Sequence, residues 1–165
     1  TNKCDIWEVD ADPQVLVYGH SHTLYAVAPH PKKANVFASA SEGNRVYLWD
    51  ADKFQMLRTS PVGLTCRVCA FSQEPVAAGD EYFPGWKPSG GREHHLAVGG
   101  VSGRVRVLDA ETLQPIATFK DSEQAISVLS YSDARDYEPV LAVAGNDQCV
   151  NTYSVAKGYQ WLGGG

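Results

Sequence analysis

The sequence predicts an all-β fold: about three to four four-stranded blades that form a segment of a larger β-propeller. Three observations predict it. Four segments end alike, in a short strand closed by a large residue and a polar one: Cys4–Glu8, Val46–Asp50, Val105–Asp109 and Val150–Ser154. Their large residues, Trp7, Trp49, Leu108 and Tyr153, are 42, 59 and 45 residues apart. Two of those spacings lie at or near the ~40–45 residues of a propeller blade. The segments between are short, β-branched or aromatic, and punctuated by Gly, Pro, Asn and Asp, which is an all-β pattern.

Taken in order, residues 1–14 read as the end of a preceding blade, because Lys3–Val9 matches a closing strand. Residues 15–50 form a blade with strands near Leu24–Ala28, Asn35–Ala40 and Val46–Asp50. Residues 51–109 form the next, from Thr65–Phe71, His95–Gly100 and Val105–Asp109, and an insertion at 73–93 explains its extra length. Residues 110–155 repeat the plan with Ala125–Tyr131, Val140–Gly145 and Val150–Ser154. Residues 156–165 read as the first strand of a following blade. The middle strand of each unit is rich in Ala, Gly and Ser, as expected where strands crowd toward a channel. Segments this short, cut by Gly and Pro, cannot sustain the i, i+3, i+4, i+7 stripe of a helix. Three repeats would leave two sheet edges open, and propellers close with at least about four blades. The chain is therefore expected to be part of a longer propeller.

The composition narrows the function. An apolar fraction of 44% suits a packed core and not a disordered chain. A formal net charge of -5 argues against capture of nucleic acid or an anionic membrane by bulk charge. No apolar run approaches the ~18 residues of a membrane span, and Thr1–Asp5 does not resemble a secretory signal. Cys4, Cys66, Cys69 and Cys149 are scattered, and a chain this size needs no disulfide staples, so a reducing setting is expected.

Gly19-His20 before the first strand and Trp49-Asp50 after the third resemble the two ends of a WD40 repeat. The resemblance implies a buried network of His, Ser or Thr, a turn Asp and Trp. His20, Ser39 and Trp49 stand at three of those places, and Gly43 stands where the Asp is expected. In the third repeat Asp147 holds the turn position but Tyr153 replaces Trp, and the second repeat has Ser102 and Leu108. The blades are expected to rest more on packing than on the polar network. More narrowly, Leu96–Gly100, Val107–Leu113, Lys120–Ser127, Leu141–Asp147 and Ala28–Pro31 are similar to propellers of the echinoderm microtubule-associated protein-like family. That resemblance implies a non-catalytic scaffold whose partners are tubulin, microtubules or associated proteins. It implies a cytoplasmic, cytoskeletal location, with some relatives in cilia and their axonemes. A general WD40 adaptor in a non-cytoskeletal complex is the alternative, because fold does not fix function.

Sites of chemistry are few. Cys66-Arg67-Val68-Cys69 has metal-site spacing, but residues three apart in a strand point to opposite faces and no second pair completes a zinc site. His94-His95, with His20, His22 and His30, lacks an accompanying metal motif such as HExxH. No nucleophile or phosphate-loop motif is present, and Gly99–Gly103 joins two strands. No enzyme activity, metal or cofactor is expected. The insertion is different: Tyr82, Phe83 and Trp86 are large aromatics in a Pro- and Gly-rich loop, the kind that anchors interfaces. The competing expectation is that they pack back onto the blade. An acidic partner such as tubulin would need local basic points, for which Lys32, Lys33, Arg104 and Arg106 are the candidates.

Overall fold

The computed structural model describes residues 4–6, 14–17, 19–77, 79, 81–133 and 138–165. Trp7, most of the segment 1–14 and residues 134–137 of the charged expansion lie outside the described residues.

Among the described residues the architecture is all-β, with one short 3-10 turn at Ser89–Gly91. β1 (Cys4–Ile6) and β2 (Gln14–Val17) form an antiparallel pair. β3 (Leu24–Pro29), β4 (Val36–Ser41), β5 (Arg45–Asp50) and β6 (Gln55–Pro61) form the first four-stranded sheet, in that order. β7 (Cys66–Phe71) opens the second sheet. The chain then makes a small ribbon from β8 (Val76–Ala77) and β9 (Arg92–Glu93), which ties the base of the insertion. It returns through β10 (His95–Gly100), β11 (Arg104–Asp109) and β12 (Pro115–Lys120), giving the order β7-β10-β11-β12. The third sheet is β13 (Ile126–Tyr131), β14 (Val140–Gly145), β15 (Val150–Ser154) and β16 (Gln160–Gly164).

Sequence units and sheets are out of phase by one strand. The large closing residues sit on β5, β11 and β15, the third strand of each sheet. The next segment of chain turns back to supply the fourth. Residues 156–165, expected to begin a following blade, instead provide β16, the outer strand of the third sheet, where Tyr153 faces Trp161. The sequence pattern could not distinguish the two because a strand's outward alternation looks the same on either sheet.

The middle strands explain their small residues. All six residues of β10 are buried, since the strand packs on both faces. Leu96 and Val98 join a core with Ala38, Leu48 and Leu108 between the first and second sheets. Ala97 joins Val105, Val107, Leu129, Leu141 and Val143 between the second and third. Each large apolar side chain so buried contributes about 1.5–3 kcal/mol. A Cβ on Gly99 would meet Ile126 Cγ2 at 2.7 Å and Val68 Cγ1 at 2.8 Å, so a larger residue there would push the sheets apart.

The cysteine spacing behaves differently from the strand rule. Gly99 pairs with Val68 but Gly100 pairs with Cys66, so a bulge at Arg67 interrupts the alternation. Cys66 and Cys69 therefore both enter the core shared with the first sheet. Burial pushes both thiols up to about 12, so they stay protonated, small apolar residues.

Candidate functional site

In a four-stranded meander the first-to-second and third-to-fourth connections lie at one end of every sheet. This end gathers the turn at 30–35, the insertion, and the turns at 51–54, 110–114 and 155–159. Lys32, Lys33, Tyr82, Phe83 and Trp86 all belong to it. Arg104 starts β11 at the opposite end, and Arg106 lies mid-strand. The two groups of basic residues are thus not brought together.

The insertion does not present its three aromatics alike. Phe83 and Trp86 are 2% and 8% exposed, whereas Tyr82 is 38% exposed. Phe83 and Trp86 pack back onto the blade. The Trp86 indole N–H donates to Asp109 Oδ2 at 2.7 Å, and its ring lies 4.6 Å from that of His95 in an edge-on arrangement. Phe83 sits edge-on to both Trp86 and His95, at 5.5 and 5.2 Å. The insertion folds back because it carries enough apolar surface to do so and finds a polar partner for its one indole N–H. Tyr82 remains at the surface.

Beneath the insertion is a chain of hydrogen bonds. His95 Nδ1 meets Tyr159 Oη at 2.7 Å, and Tyr159 Oη meets Tyr131 Oη at 2.9 Å. His95 is fully buried, and burial holds its pKa down to about 3, partly opposed by Asp109. Burial also raises both tyrosines above their ordinary range. Every group in the chain is neutral and sealed from water, which joins the second and third sheets and offers no reactive group to solvent.

The acid after each closing strand caps the turn that follows. Asp50 Oδ1 accepts the N–H groups of Asp52 and Lys53, both at 3.0 Å. Asp109 Oδ1 accepts those of Glu111 and Thr112, at 2.9 and 2.8 Å. Ser154 Oγ does the same for Lys157 N at 3.2 Å. Asp50 also binds the Asn35 side chain, whereas Asp109 binds Trp86. Sequence reasoning missed these caps, although the polar residue after Trp49, Leu108 and Tyr153 was their signal.

In the first sheet the Trp49 indole N–H donates to Ser39 Oγ at 2.7 Å. The Ser39 hydroxyl lies 2.7 Å from His20 Nε2. An indole only donates, so Ser39 accepts from Trp49, and the direction of its bond to His20 is set by the imidazole tautomer. His20 Nδ1 is buried without a hydrogen-bond partner, and burial lowers the His20 pKa to about 4. In the third sheet Asp147 Oδ1 accepts Cys149 N at 3.2 Å, while Tyr153 donates to Asp121 at 2.6 Å.

The basic residues are partly spoken for. Lys32 pairs with Glu74 at 3.7 Å, and Lys33 pairs with Glu111. These two pairs cross from the first sheet to the second. Arg106 is half-buried and donates to Thr118 at 3.3 Å. Arg104 is exposed and lines a groove with Phe119 and Lys120. Exposed pairs of this kind are worth ~0–1 kcal/mol, so the lysines remain available to a competing anion.

Comparison with known proteins agrees with this geometry. A family model described as "WD domain, G-beta repeat" matches residues 12–50. Human echinoderm microtubule-associated protein-like 2 is 33% identical over 144 residues, which are 87% of this chain and 19% of that protein. Human echinoderm microtubule-associated protein-like 4 is 29% identical over 87% of the chain and 12% of its own length. The chain thus spans less than a fifth of the relatives it matches. Among solved structures, the WD40 repeats of RRP9 superpose with a TM-score of 0.73 at 19% identity, over 97% of this chain and 43% of that one. The structure of U3-55K gives 0.69 at 18% identity, over 88% and 40%. These structural likenesses carry the fold alone.

Proposed function

From the premise that this chain is a WD40-repeat protein resembling the echinoderm microtubule-associated protein-like family, we propose that it is a non-catalytic scaffold that associates with microtubules. The observation that carries the reading is the 33% identity over 144 residues to a relative named for microtubule association. The geometry supports a scaffold in its own way. His20, His30, His95, Tyr131 and Tyr159 are buried and held neutral, and the blades hold their turns rigidly with side-chain caps. Affinity would come from exposed points at the insertion end, with Tyr82 as the aromatic contact and Lys32 and Lys33 as the charged ones. Cytoplasm and cytoskeleton follow as the location.

The test is co-sedimentation of the full-length protein with taxol-stabilised microtubules, repeated for Tyr82→Ala and for Lys32→Glu with Lys33→Glu. Pelleting that weakens in the variants and falls steeply with salt supports the reading and its contact surface. A folded full-length protein that stays in the supernatant removes direct microtubule binding. The role of general adaptor would then stand in its place.

A further inference from the structure

Between the first and second sheets, at the same end, lies an open-mouthed cavity of about 220 Å3. One water takes roughly 30 Å3 of liquid, so there is room for a side chain. Leu48 and Leu57 line it as apolar wall, and Lys33, Arg58, Glu111 and His30 as polar groups. Two fixed positive charges thus face one carboxylate. Lys33 is engaged with Glu111, but Arg58 is exposed and has no ion-pair partner among the described residues. His30 also borders the cavity. Its Nδ1 receives the N–H groups of Lys32 and Lys33 at 3.1 and 3.2 Å, so its proton lies on Nε2. That N–H is buried without an acceptor. Beside the mouth, the edge strand β6 and the turn before it expose Leu57, Met56 and Phe54, which are 47%, 42% and 40% accessible.

We infer that this cavity receives a glutamate side chain of a partner protein. The methylene stem would lie along Leu48 and Leu57, and the carboxylate would pair with Arg58. An apolar neighbour in the partner would cover Met56. The complementarity is one of charge, since the cavity carries a surplus cation with a planar fork suited to a carboxylate. The inference holds whichever protein supplies the glutamate, so it does not depend on microtubule binding.

The probe is fluorescein-labelled hexaglutamate, amidated at its C-terminus, titrated with the full-length protein and followed by anisotropy. Hexaglutamine serves as the uncharged control. Hexaglutamate is expected to bind and hexaglutamine not. Arg58→Glu should weaken binding by about tenfold or more. Glu111→Gln removes the competing carboxylate and should tighten binding severalfold, a gain that a damaged fold cannot imitate. No binding of hexaglutamate, equal binding of hexaglutamine, or unchanged affinity in Arg58→Glu or Glu111→Gln would overturn the inference. Binding here without microtubule pelleting would leave the cavity site standing and exclude microtubules as the source of the carboxylate.

Discussion

Ser39 holds two rings with one oxygen, accepting from Trp49 and sharing a hydrogen bond with His20. Ser39→Ala would strand the indole N–H and leave both ring groups buried without partners, each at a cost of about 1–3 kcal/mol. The expected loss is about 2–4 kcal/mol, read from a lower urea midpoint. The opposite change is available at Gly43, where the repeat pattern expects an Asp and His20 Nδ1 has no hydrogen-bond partner. A Cβ there would meet His22 Nδ1 at 2.7 Å, so His22 must be shortened at the same time. His22→Ala with Gly43→Asp is expected to raise stability by about 1 kcal/mol, and a drop instead would mean the new carboxylate does not reach the ring. The three residues of this network were legible because each has a fixed place in the repeat. The missing partner was legible too, as a glycine at a position of known role.

The insertion shows where such legibility stops. Its existence was plain from the long spacing between Trp49 and Leu108. Its destination was not, because Asp109 and Tyr159 lie 23 and 76 residues from the Trp86 and Phe83 that they meet. No local pattern marks such contacts. An aromatic bound for a core and one bound for a partner look alike in a loop. The same holds for Cys66 and Cys69, whose shared side follows from a bulge set by the register with β10. Now that the packing is known, the three aromatics should separate in a denaturation series. Phe83→Ala is expected to cost about 3–5 kcal/mol. Trp86→Phe keeps much of the ring but loses the bond to Asp109, and should cost about 1–2 kcal/mol. Tyr82→Ala should stay within about 0.5 kcal/mol. Equal costs for Phe83 and Tyr82 would contradict the docked insertion.

Across the whole molecule, three of the buried histidines have a lowered pKa: His20 against the first sheet, His30 beside the second, and His95 against the third. Burial lowers them to about 4, 4 and 3. An unfolded chain takes up those protons near pH ~6.5, while the folded chain refuses them until the lower values. Stability is therefore complete above about pH 6.5 and falls as the pH drops through the window toward about 4. The slope in that window approaches ~1.4 kcal/mol per pH unit for each histidine. Urea midpoints at neutral and mildly acidic pH measure it. A midpoint that does not move would mean the rings protonate in place. At this scale the repeat gave the architecture from spacing alone. The assignment of each outer strand to its sheet was hidden, because that depends on hydrogen-bonding partners and not on pattern.

That displacement has a consequence for cutting the chain. A break in the turn at 51–54 falls between sequence units yet inside a sheet, so each fragment would carry half of the β5–β6 ladder from Arg45↔Pro61 to Asp50↔Gln55. Co-expressed halves divided there are expected to find each other and rebuild the sheet, as two rows of a zip close on matching teeth. Halves divided in the segment 62–65 would each keep whole sheets and meet only through side-chain packing. Fragment complementation should therefore succeed more readily at the first break than at the second. The staggered plan laces neighbouring units together, so duplicating one unit extends the stack only by borrowing a strand across the new seam.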